Sequence, residues 1–90
     1  MEIVIESVPE NDAKTCVTLL KALRATDIRV EREWVELWQH GDSWSEEILY
    51  QVIFSLPNLD DHAMNILTDM FSGSGFSFSA PELGMRWTIA

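Results

Sequence analysis

IRVEREWVELWQHGDSWSEEILYQVIFSL, residues 28–56, decides the fold, because each half of it admits either strand or helix. In the first half, Ile28 and Val30 alternate with charges, as in a strand buried on one face. Val35 and Leu37 alternate as well, but on the opposite parity. A regular strand cannot send both pairs to one face, since its side chains repeat every second residue. A bulge or tight turn near Glu31–Glu33 restores the register. Two other readings compete: a straight strand that buries Trp34 and Trp38 with Ile28 and Val30, and a helix through Val30, Trp34, Leu37 and Trp38. The β-branched and aromatic content of residues 28–38 favours a strand. In the second half, Gly41-Asp42-Ser43 punctuates the chain. Ser43 and Glu46 then match the S-x-x-E capping box ahead of Ile48, Leu49, Val52, Ile53 and Leu56. That spacing predicts a helix, ended by Pro57.

Outward from this stretch the signals are plainer. Residues 2–8 are β-branched, with Ile3 and Ile5 on one face and Val4 on the other, which suits a central strand. Pro9 stops ladder pairing and favours a helix start. Ala13, Cys16, Val17, Leu20 and Leu23 follow at helical spacing. Beyond Pro57, Asn58 or Asp60 can cap a helix whose buried stripe is Ala63, Ile66, Leu67, Met70 and Phe71, with Gly73 at its C-terminal end. Phe76 and Phe78 alternate with serines, Pro81–Gly84 makes a turn, and Met85, Trp87 and Ile89 alternate again, so residues 76–79 and 85–90 form a hairpin. The expected order is β-α-β-α-α-β-β. The fold class is α+β, an α/β sandwich: one small sheet of about four strands with three helices on one face, a single domain over residues 1–90. Parallel pairing of the first two strands is natural for β-α-β.

Charge is distributed unevenly. The 90-residue chain carries 15 acids against 6 Lys and Arg, a net charge of −9. Residues 1–32 are nearly balanced, with six acids and five bases, whereas residues 33–85 hold nine acids and no Lys or Arg. Such a balance argues against direct binding to nucleic acid or to an anionic membrane, where cationic surface supplies the affinity. It suits a basic protein partner, recruited by an electronegative face. One cysteine excludes an internal disulfide, and no stretch has the length or apolarity of a membrane span, so a cytoplasmic location is expected.

No catalytic or cofactor motif stands out. His40, His62 and Cys16 lack the local spacing of a zinc site. Asp60-Asp61-His62 is better explained by a helix start, where Asp caps backbone N–H groups. Cys16 falls on an apolar helical stripe and reads as core. Ser72-Gly73-Ser74-Gly75 has no following Lys and leads into a strand, unlike a phosphate loop. No enzyme activity, metal or cofactor is expected.

Three of the four tryptophans, Trp34, Trp38 and Trp44, lie within eleven positions among carboxylates. Buried aromatics dominate binding hot spots, although core packing is the commoner fate of the indole. The candidate partner-binding residues are therefore Glu33, Trp34, Glu36, Trp38, Asp42, Trp44, Glu46, Glu47, Asp60 and Asp61. The charge profile is similar to that of toxin-immunity proteins and of phage-encoded anti-CRISPR or DNA-mimic proteins, in style only, with no family motif matched. The expected function is a small acidic inhibitor that occludes the cationic surface of a basic protein, such as a nuclease or a nucleic-acid-binding complex. The alternative is a non-catalytic interaction module or small subunit, with a homodimer as its simplest form.

Overall fold

The computed structural model describes the backbone of residues 1–90 and every side chain except those of residues 34–38 and 40. Five strands and two helices follow in the order β1 (Glu2–Pro9), α1 (Glu10–Ala22), β2 (Thr26–His40), β3 (Ser43–Ser55), α2 (Asp61–Met70), β4 (Phe76–Ala80) and β5 (Met85–Ile89), with a single 3-10 turn at Pro81–Leu83. The strands form one sheet in the order β2-β3-β1-β4-β5, and every pairing is antiparallel.

The α+β class, the central first strand, the first helix and the C-terminal hairpin match the expectation from sequence. Residues 43–56 do not. Ser43–Ser55 is a strand, so the sheet has five strands and there are two helices, not three. The physical reason lies in its neighbours. Residues 49–55 lie between β1 and β2, so both backbone edges of this segment are paired in the sheet. Val52 and Phe54 enter the core on one face while Ile53 is buried on the other. A helical stripe and a two-faced strand share the same residues here, and periodicity cannot separate them. The parallel pairing of the first two strands is also overturned, because β3 inserts between β1 and β2 and pairs antiparallel with both.

Both helices cover one face. Ala13, Cys16 and Leu20 of α1 and Leu67 at the buried side of α2 join Phe71, Ile3, Ile5, Val8, Val52, Phe54, Phe78 and Ile89 in one core. Phe71 meets Phe78 edge-on at 5.2 Å between centroids, and Trp87 stacks on Phe78 at 5.7 Å. Asp60 caps α2 through its side chain, accepting the Ala63 N–H at 2.9 Å.

The opposite face of the sheet carries no helix. A register row crosses all five strands there: Arg29, Ile53, Val4, Ser79 and Arg86. The arginines at its two ends reach acids on β1, Arg29 to Glu2 at 3.2 Å and Arg86 to Glu6. Arg29 also approaches Glu31, at 3.7 Å. The acids of the open face thus have countercharges.

Candidate functional site: an acidic ribbon

The site is built by a mismatch of strand lengths. β1 follows β3 only as far as the Pro9–Leu49 pair, whereas β2 stays with β3 to the His40–Ser43 pair. Residues 35–40 and 43–48 therefore leave the sheet as a two-stranded ribbon of six residue pairs, about 20 Å long. This projection accounts for the elongated outline, 49 × 23 × 21 Å. The tip is a two-residue turn with Gly41 at φ 62°, a conformation that costs a residue with a Cβ. Gln39 steadies it by donating from Nε2 to the Gly41 carbonyl at 3.1 Å.

The root of the ribbon is a pair of bulges. The β1 register shifts between Ile5 and Val8, and the β2 register shifts between Arg32 and Trp34, both flanking Tyr50 of β3. Glu33 is the extra residue on β2, where a bulge was expected near Glu31–Glu33. A bulge frees a backbone N–H, which must find another partner. Ser7, held at φ 56° in the β1 bulge, donates its N–H to Oε2 of Glu33 at 2.6 Å. One carboxylate thus ties together β1 and β2, the two strands that flank β3. Glu33 serves as a bracket for the ribbon.

Eight of the ten candidate residues lie on β2, the turn or β3 at this ribbon and its root: Glu33, Trp34, Glu36, Trp38, Asp42, Trp44, Glu46 and Glu47. Trp34, Glu36 and Trp38 stand in register with Leu49, Glu47 and Ser45, and their side chains lie outside the described residues. Asp42, Glu46 and Glu47 are exposed, and Trp44 is 66% exposed. Among the described residues no ion pair involves these three acids. Asp60 and Asp61 are not brought to the ribbon. They start α2, beyond the end of β3 opposite the tip, and Asp60 is used as the helix cap. The expectation of one patch gathering all the later acids is corrected accordingly: Asp60, Asp61 and Asp69 belong to α2.

One residue escaped the sequence reading. A recess of about 330 Å³ at the ribbon root is lined by Pro9, Glu10, Asn11, Glu46, Glu47 and Ile48. Glu10, in the first turn of α1, adds a third carboxylate to Glu46 and Glu47. No sequence signal links them, because 36 positions separate Glu10 from Glu46. Three carboxylates without a lining base suit a guanidinium or ammonium group.

Among the described residues the remaining chemistry-bearing side chains do not converge. Cys16 is buried against the core, and burial, with Asp12 nearby, pushes its thiol up to about 11, so it is a poor nucleophile. Among the described residues no group of three His, Cys, Asp or Glu is arranged to hold a metal, and no helix is long and apolar enough to cross a membrane. No protein-family model matches the chain, and neither a curated protein nor a solved structure matches it.

Proposed function

We propose that the chain is a protein-binding module that inserts its acidic ribbon into a cationic groove on a basic, nucleic-acid-binding protein and thereby occludes it. The observation that carries this reading is the ribbon itself: exposed carboxylates of Asp42, Glu46 and Glu47, and an exposed Trp44, projecting from the sheet with no countercharge among the described residues. A carboxylate without an intramolecular partner keeps its oxygens free to accept from an incoming Arg or Lys, and complementary charge speeds the encounter. Trp44 supplies apolar area at the same surface, as hot spots require. The recess formed by Glu10, Glu46 and Glu47 offers a seat for one basic side chain. The ribbon is narrow enough to enter a groove, and the sheet behind it is wide enough to block one.

The test is affinity capture with the intact chain and with the triple variant Asp42→Asn, Glu46→Gln, Glu47→Gln. The expected partner is basic, is retained by the native chain at about 50 mM salt, is released toward about 300 mM, and is lost with the variant. Stoichiometric addition of the native chain should then displace nucleic acid from that partner. Capture of neutral or acidic proteins only, or retention indifferent to salt, overturns the proposal.

A further inference from the structure

β2 is an edge strand, and its outer side at residues 29–32 bonds to no backbone group among the described residues. Register shifts on either side, at residues 27–28 and at Glu33, leave Arg29, Val30, Glu31 and Arg32 as a regular segment in line with Ile53, Val52, Gln51 and Tyr50. An open edge of this kind accepts another strand. We propose that the strand is supplied by a second copy of this chain: two molecules pair β2 to β2, antiparallel, across a two-fold axis at Val30. The inference is independent of the ribbon's partner.

Symmetry leaves few registers. A two-fold axis that joins two edges into one antiparallel sheet stands perpendicular to the sheet, so both helix layers stay on the same side. Directly opposed residues then share a face, and the axis passes through a residue paired with its own copy. Centring on Arg29 or Arg32 would oppose two guanidinium groups, and centring on Glu31 would oppose two carboxylates. Centring on Val30 opposes Arg29 to Glu31 of the second copy, twice, by symmetry. Charged side chains commonly guard a sheet edge, but at this one Arg29 and Glu31 are opposite in sign, so the edge complements itself.

The helix-side face supplies the apolar component. Val30 is 42% exposed and lines a groove of about 390 Å³ with Ala13, Val17 and Tyr50, between α1 and the β2–β3 hairpin. In the proposed dimer Val30 meets its own copy, and the two grooves run together into one trough. The paired segment is short, so association in the micromolar range is expected.

Sedimentation equilibrium of the full chain across the micromolar range tests this. The native chain should dimerise. Arg29→Glu and Glu31→Arg should each weaken the dimer roughly tenfold to a hundredfold while circular dichroism stays native. An equimolar mixture of the two variants should recover the native affinity, because each reversed charge then faces an opposite one. A native chain that stays monomeric, a dimer indifferent to either reversal, or a mixture that fails to recover overturns the proposal. Val30→Cys is a second measurement should a reversal unfold the chain. Opposed Cβ atoms at about 4.5–5.5 Å lie within reach of a short bis-maleimide, which should link two such chains covalently, and a monomeric product overturns the register. Cys16, buried, does not compete.

Discussion

Residues 49–55 of β3 run between two strands beneath a helix layer, whereas residues 43–48 of the same strand have β2 for their only neighbour. Leu49, Val52, Ile53 and Phe54 in the inner half are buried, while Ser43 to Glu47 in the outer half are all exposed. Backbone pairing to β2 continues through both halves, so it does not set the difference. What changes is the second strand and the roof. The acids follow the same division. Glu2, Glu6 and Glu31 on the sheet face arginines and Glu33 accepts a backbone N–H, while Asp42, Glu46 and Glu47 on the ribbon have none of these partners among the described residues. Stability resides in one half and unspent charge in the other.

Substitutions in the two halves should therefore diverge, and the widest gap is between two aromatics. Phe54→Ala empties a fully buried site and should cost about 3–5 kcal/mol in urea denaturation, enough to threaten a small domain. Trp44→Ala should change stability by less than about 0.5 kcal/mol in the same measurement; equal losses would break the comparison. At the boundary, Glu33→Gln weakens the tie across β3 and should cost about 1 kcal/mol, since the bond is partly solvated. Amide exchange at Ser7 should accelerate with it, which sharpens the claim that this carboxylate holds the bulges together. The smallest effect is expected from neutralising Asp42, Glu46 and Glu47 together: a stability change within about 0.5 kcal/mol, measured beside the loss of partner capture. A large loss of stability there would mean that the ribbon's acids support the fold.

Much of the sheet could be read locally. The parity conflict between Ile28/Val30 and Val35/Leu37 pointed to a bulge near Glu31–Glu33, which falls at Glu33, and of the two candidate caps, Asn58 and Asp60, Asp60 caps α2. The capping-box match at Ser43 and Glu46 misled, because the same residues serve a strand once β1 and β2 flank it. That flanking is set by residues dozens of positions away, and no window of sequence contains it. The clustering of tryptophans and acids between positions 33 and 47 marked most of the candidate surface. Its shape was illegible, since a ribbon exists only where β1 ends before β2 does. Glu10 was illegible for the same reason, as its neighbours Glu46 and Glu47 are supplied by the tertiary fold.

The middle position of β1 has a consequence for biosynthesis. β1 is made before either of its sheet neighbours, because β3 and then β4 must follow before both its sides are occupied. Before β3 is made, Ile3, Ile5 and Val8 have only the following helix for shelter. The β2–β3 hairpin, joined by two residues, can zip on its own as it emerges, and β1 can then dock onto a template already in place. Nascent chains halted before residue 43 should accordingly be the ones that chaperones hold.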